Sequence, residues 1–272
     1  MHTLTNIQAL IIDMDGVLWE GSRALPGLKD FFKCLRKNNL PFILATNNAS
    51  LTQKQYISKL ETMGVTVSPH EILTSSMATA QYLSEQTAPG STRIFVIGEQ
   101  GLRDPLIEKG FTLIDSYQIN KHPADFVVCG LDRSVTWDKL ADATLHIRAG
   151  AKFIATNADT TLPTERGPVL GNGAILSALQ SATEVSPLII GKPEPIMYQQ
   201  AIKRLKTDPE KTIAIGDRLN TDILGAVNTG IRSIMVLTGI SSEEHIKSVD
   251  YQPTWVMSDI QAVTKALDSC IK

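Results

Sequence analysis

The sequence predicts an α/β protein: a doubly wound, mostly parallel sheet into which a second α/β unit is inserted. Three observations carry that prediction. Short β-rich apolar runs alternate with longer segments of helical period along the whole chain. The runs are continuously apolar rather than alternating, as expected for strands covered on both faces by helices. Several of them also end in a polar or charged residue, the place where open parallel sheets bind their ligands.

In chain order the predicted strands are "ALII" (9–12), "FILA" (42–45), "RIFVIG" (93–98), "DFVVCG" (125–130), "KFIAT" (152–156), "PLIIG" (187–191), "TIAIG" (212–216) and "SIMVL" (233–237). Between them, 27–38, 51–63, 101–109, 137–149, 172–184, 195–206 and 221–229 have the spacing of helices that bury one face. Residues 87–186 carry strands and helices of their own, so they form the insert; 1–86 and 187–272 form the sheet it interrupts. The insert contains an echo, "FIATNAD" (153–159) against "FILATNN" (42–48), two strands that run into the same Thr-Asn turn.

With 272 residues, a formal net charge of −2 and an estimated pI near 6.2, the chain has a sizeable core and no basic field for nucleic acid or an anionic membrane. Cys34, Cys129 and Cys270 are odd in number and lack metal-ligand spacing, so they read as thiols in a reducing compartment. With no signal-like or membrane-spanning stretch, the expected location is the cytoplasm.

The chemistry gathers at strand ends. "ALII" runs into Asp13, "FILA" into Thr46-Asn47, "PLIIG" into Lys192 and "TIAIG" into Asp217, four contributions expected at one edge of one sheet. Asp13 and Asp15 flank Met14 in "DMDG", so they project to the same side of an extended backbone, and Gly16 lets the chain turn close to a ligand. Crowded carboxylates are relieved by a divalent cation or by a raised pKa. "GDRLNTD" supplies Asp217 and Asp222, and a hard cation such as Mg2+ takes that kind of oxygen ligand set.

Taken in order, "DMDGVL", "TNN", "GKPEP" and "GDRLNTD" resemble the four motifs of the haloacid dehalogenase-like phosphatase superfamily, and the spacing of the insert resembles its NagD-like, p-nitrophenylphosphatase branch. The resemblance implies a Rossmann-like core with the insert as an α/β cap domain. It implies that Asp13 is the nucleophile and forms an aspartyl-phosphate, and that Asp15 is the acid and then the base. It implies that Thr46 and Lys192 bind phosphoryl oxygens, with Asn47 and Asn48 beside the substrate. Mg2+ would be held by Asp13, the Asp15 carbonyl and Asp217, with Asp222 in or next to that shell. A homodimer through the cap is familiar in this branch. The physical logic agrees, because a carboxylate that attacks a phosphate dianion needs charge compensation, and one acid serves both halves of a two-step displacement.

The expected function is therefore a Mg2+-dependent phosphatase of small phosphate monoesters such as sugar phosphates, phosphoglycolate or p-nitrophenyl phosphate. A pyridoxal phosphate phosphatase, a phosphomutase and a catalytically silent metabolite-binding protein are the alternatives; a dehalogenase needs no second acid. Pyridoxal phosphate-type relatives carry a histidine in a comparable cap loop, and no histidine occurs from 147 to 244. Candidate substrate contacts in the insert are Asp132, Arg133, Asn157, Asp159 and Leu162. Gly171 and Gly173 read as a turn entering a helix, and Trp19, Trp137 and Trp255 as packing residues, with Trp19 also placed to line an entrance.

Overall fold

A computed structural model describes residues 4–118, 122–164 and 166–270. Its contacts divide the chain into two compact units. The first comprises the described residues up to Thr46, Lys54–Leu73 and those from Lys192 on; the second comprises Asn47–Gln53 and Thr74–Gly191.

The first unit holds a six-stranded sheet in the order Trp255–Met257, Arg232–Val236, Thr212–Gly216, Ala9–Ile12, Phe42–Thr46, Ile72–Thr74. Ala9–Ile12 runs parallel to both of its neighbours, and strand order reverses there, which makes it the topological switch point. Register then places the chemistry. Ile12 pairs with Ile215 on one side and Leu44 on the other, so Asp13 lies one residue beyond the switch strand, while Thr46 and Asp217 lie two residues beyond Leu44 and Ile215. Every residue of Ala9–Ile12, Phe42–Thr46 and Thr212–Gly216 is buried, the two-sided covering that their continuous apolar runs predict. Helix Leu28–Lys37 buries Leu28, Phe31, Phe32 and Leu35, an i, i+3, i+4, i+7 stripe, and packs against Ile260–Cys270.

The second unit has its own five-stranded sheet, ordered Leu188–Ile189, Lys152–Ala155, Phe126–Cys129, Arg93–Ile97, Thr112–Ile114, with every neighbouring pair parallel. Its core joins Phe95, Ile97, Val127 and Phe153 of the sheet to Ala143, Ile147, Ile175 and Leu179 of helices Trp137–Arg148 and Asn172–Thr183.

Two differences from the sequence reading have physical causes. Besides Asn47–Gln53, the second unit takes in Thr74–Gly191 rather than 87–186 alone, because helix Ser75–Gln86 packs on helix Gln100–Glu108. That helix buries Ser75, Ser76, Ala78, Thr79 and Ala80 beside Leu83, a face of small residues with no apolar stripe to detect. The run before Lys192 is also not a strand of the first sheet. Leu188–Ile189 pairs with Ile154–Ala155 in the second sheet, so three strand ends, not four, belong to the first.

Trp137 is 79% exposed at the first turn of its helix, against the packing role expected of it, while Trp19 is fully buried. Cys34 and Cys129 are buried free thiols, as their spacing suggested.

One buried group makes the second unit sensitive to acid. The Ala124 N–H donates to His146 Nδ1 at 3.0 Å, which requires an unprotonated nitrogen there. Burial lowers the His146 pKa; Asp142 and the Ser116 backbone oppose this, and Arg93 reinforces it. The unfolded chain takes up a proton below a pH of about 6.5 and the folded one resists it, so this contribution is lost as pH falls. The stability advantage of wild type over His146→Gln is expected to narrow between pH 8 and about 5.5, measured by urea unfolding at each pH.

Candidate active site

Four buried ionisable side chains meet beyond the switch strand. Lys192 is 3% exposed, and its Nζ donates to Asp13 Oδ1 at 2.6 Å, to Asp222 Oδ1 at 2.6 Å and to the Ala45 carbonyl at 3.0 Å. Asp13, Asp217 and Asp222 each place a carboxylate oxygen within 4.8 Å of the others. Three acids thus cluster together, and two of them pair with one ammonium.

The electrostatics follow from burial. Desolvation pushes Asp13 well above the usual carboxylate range; Lys192 opposes this, and Asp222 and Asp217 add to it. Burial also raises Asp217, with Asp222 next in effect, to about 7. Burial alone would lower Lys192, but Asp13 and then Asp222 hold it well above its ordinary value, so it stays an ammonium.

Asp217 is gripped from behind. The Ile240 N–H donates to its Oδ2 at 2.8 Å, and the Ser241 N–H donates to its carbonyl at 3.1 Å. Gly16 takes a left-handed backbone (φ 80°), where a Cβ would stand 2.6 Å from Asp217 Oδ2; a Cβ on Gly239 would overlap the same oxygen. Backbone therefore closes on this carboxylate from two loops where side chains could not. Its other oxygen, Oδ1, is buried without a hydrogen-bond partner. An orphaned carboxylate oxygen with two more acids in reach is the donor set of a hard divalent cation, and the residues present fit one. Asp222 lies in a π-helical turn, Leu219–Ile223, where its Oδ2 accepts from the Arg218 N–H at 3.2 Å and its carbonyl from the Tyr198 hydroxyl at 3.1 Å.

The other expected site residues are distributed differently. Asp15 is not in the three-acid group: it is exposed, and its Oδ1 accepts from the Trp19 indole at 2.7 Å. The Lys59 ammonium lies 4.2 Å above the Trp19 ring. Thr46 is buried and shares a hydrogen bond with Tyr56, whose hydroxyl burial keeps protonated. Asn47 and Asn48 belong to the second unit. The Asn47 amide donates to the Asp159 carboxylate at 3.3 Å, and Asn48 Oδ1 accepts from Ser50 Oγ at 2.7 Å.

Of the candidate contacts in the insert, Asp132 is paired with Lys139 at 2.5 Å and Arg133 with Glu99 at 2.7 Å. Asn157 is buried with its amide committed to the Asn47 carbonyl, so it is no surface contact. Leu162 lies in the Thr161–Thr164 and Gly167–Leu170 hairpin. The sequence reading missed Tyr198 and the Thr238–Ser241 loop. The loop follows strand Arg232–Val236, so the strand-end rule that found Asp217 would have found it too.

Two family models match the chain. One for haloacid dehalogenase-like hydrolases matches residues 10–112, and a second, HAD-hydrolase-like, matches 189–263. The acid sugar phosphatase of Staphylococcus saprophyticus is 38% identical over 265 residues, covering 97% of this chain and all of that protein. The Bacillus subtilis 5'-nucleotidase YutF is 38% identical over 92% of this chain and 94% of its own length. The crystal structure of a 4-nitrophenylphosphatase from Thermotoga maritima superposes with a TM-score of 0.91 at 34% identity, over 98% of this chain and all of that one. The chain belongs to the haloacid dehalogenase-like hydrolases, in their NagD-like, p-nitrophenylphosphatase branch. It is a phosphoric monoester hydrolase.

Proposed function

We propose that the protein is a Mg2+-dependent phosphatase of small phosphate monoesters, sugar phosphates foremost, acting through an aspartyl-phosphate on Asp13. The clustering of Asp13, Asp217 and Asp222, two of them paired with the buried Lys192 and an Asp217 oxygen left unpartnered, carries the reading. Asp13 and Asp217 would hold the cation together with the Asp15 carbonyl, and Asp222 fixes Lys192 beside them. The cation supplies charge compensation for the phosphoryl group.

The chain's own residues divide the remaining work. Lys192 and the Thr46 hydroxyl bind phosphoryl oxygens, and Lys192 keeps Asp13 aimed. The Asp13 carboxylate attacks phosphorus as the leaving oxygen departs. Asp15 protonates that oxygen, then takes the proton from the water that cleaves the acyl phosphate. Its exposure and its anchoring by the Trp19 indole suit a group that exchanges protons with incoming and departing molecules. The inserted unit acts as the cap that selects the leaving group, with Asn47 and Asn48 on the substrate's side.

The acid sugar phosphatase relatives support a sugar phosphate preference. The 38% identity to a 5'-nucleotidase favours nucleoside monophosphates as the second class to test. The absence of a histidine from 147 to 244 argues against pyridoxal phosphate. No helix among the described residues is long and apolar enough to cross a membrane. A cytoplasmic location and a homodimer through the insert complete the reading.

The test is turnover of p-nitrophenyl phosphate and of a panel of sugar phosphates, nucleoside monophosphates and pyridoxal phosphate after EDTA treatment. Activity should be absent in EDTA and restored by Mg2+, and Mg2+ alone should raise the thermal midpoint of the stripped protein, since a ligand of the native state stabilises it. Full activity in EDTA would refute the metal dependence, and selectivity for pyridoxal phosphate would refute the substrate class.

A further inference from the structure

The Thr-Asn echo in the insert has a position that explains it. The chain crosses between the units at Thr46/Asn47, Gln53/Lys54, Leu73/Thr74 and Gly191/Lys192, so two of the crossings adjoin the residues assigned to the phosphoryl group. On the second unit's side, both of those crossings are held by Thr156-Asn157. The Asn157 amide donates to the Asn47 carbonyl at 2.9 Å and to Thr156 Oγ1 at 3.2 Å, while its Oδ1 accepts from the Asp159 N–H at 3.1 Å. The Gly191 N–H donates to the Thr156 carbonyl at 2.9 Å, and a Cβ on Gly191 would lie 2.5 Å from both that carbonyl and Asn47 Oδ1.

The cluster is buried and has no slack. Thr156 is fully buried, Asn157 is 4% exposed and Asn47 is 7% exposed. Ser75, just past a third crossing, gives its hydroxyl to the same Asn47 carbonyl at 2.7 Å. Asn172 fixes Asn157 from the far side, its amide donating to the Asn157 carbonyl at 2.7 Å. Every polar atom of the Asn157 side chain is thus used, and an ionised carboxylate in its place could not donate to Asn47.

We propose that Asn157 is a positioning residue for phosphoryl binding. Its amide fixes the peptide that follows Thr46, and the adjoining Thr156 carbonyl fixes the peptide that precedes Lys192, so one loop holds the chain neighbours of both phosphate ligands. This rests on the assignment of Thr46 and Lys192 made above. Neither Thr156 nor Asn157 touches substrate.

The experiment compares wild type, Asn157→Asp, Ser75→Ala and, as a control of helix capping in the same unit, Thr136→Ala, whose hydroxyl accepts from the Lys139 N–H. Each is assayed with p-nitrophenyl phosphate and Mg2+, at a temperature where circular dichroism shows it folded, with inorganic phosphate as competitive inhibitor. Asn157→Asp keeps the shape but turns an acceptor toward the Asn47 carbonyl. It is expected to lower kcat/KM by about 10- to 100-fold, the scale of a small misplacement of binding groups, and to raise the phosphate Ki in parallel. Ser75→Ala, which removes the second donor to that carbonyl, should shift both in the same direction by about three- to tenfold. Thr136→Ala should lower only the thermal midpoint.

Folded Asn157→Asp with kcat/KM and Ki within about twofold of wild type would overturn the proposal while leaving the phosphatase reading intact. If Asn157→Asp does not fold, an unchanged Ki in Ser75→Ala overturns it. A wild type without Mg2+-dependent turnover would remove the phosphatase reading, and the positioning role with it.

Discussion

Asp13→Asn is expected to lose turnover by on the order of 10⁴- to 10⁶-fold and yet to be at least as stable as wild type in EDTA. The two halves have one cause. A carboxamide in place of the Asp13 carboxylate cannot form the acyl phosphate, so the two-step route closes, and a loss on this scale corresponds to roughly 5–8 kcal/mol of barrier. The folded protein, however, gains from the change. Asp13 is one of three clustered buried carboxylates, and its pKa is held up first by desolvation and then by its two acidic neighbours. A neutral amide of the same shape removes that burden, while Lys192 keeps Asp222 and the Ala45 carbonyl as acceptors. Turnover and urea unfolding on the same samples check both halves. Substantial residual kcat would reject Asp13 as nucleophile, and a clear loss of stability would reject the view that its ionised form is strained in the fold.

The expected opposition between activity and stability explains how much of the site the sequence exposes. A fold has no use for buried carboxylates at the mouths of buried strands, so Asp13 and Asp217 stand out against the apolar runs that deliver them. Thr46 is legible for the same reason, and the parallel register converts each of these strand ends into a place. Lys192 does meet the acids, but not by the route its sequence position suggested: the strand before it belongs to the other sheet, and a two-residue strand gives no sign of which sheet it joins.

The remaining features rest on contacts between residues remote in sequence, which periodicity does not encode. The Thr238–Ser241 loop closes on Asp217 through main-chain groups, so its residue types reveal little beyond Gly239. The pairing of Asp15 with Trp19 depends on a turn that buries the indole while leaving the acid exposed. Asn157 reaches Asn47 across 110 residues, and the echo between their two motifs is visible in the sequence without its reason. Trp137 shows the converse limit, since an aromatic residue in a helical segment gives no warning that it faces outward.

Lys192→Met should damage stability and turnover together. It takes the ammonium from a cluster of three buried acids and leaves Asp13 and Asp222 each without its 2.6 Å partner. Removing one member of a buried ion pair typically costs about 3–5 kcal/mol, because the surviving charge remains desolvated and unpaired. In EDTA, urea unfolding should therefore show a loss of that order. Turnover with Mg2+ should fall at least about 10²- to 10³-fold, the scale on which a preorganised charge at the reacting group matters. The double variant Lys192→Met/Asp222→Asn separates the two effects. Neutralising Asp222 removes one stranded charge, so stability should recover in part over Lys192→Met alone, whereas turnover should not, because the phosphoryl group still lacks its ammonium. Equal stability of the single and double variants would mean that Asp222 is not held by Lys192 in solution; recovered turnover would mean that Lys192 serves the fold rather than the phosphate.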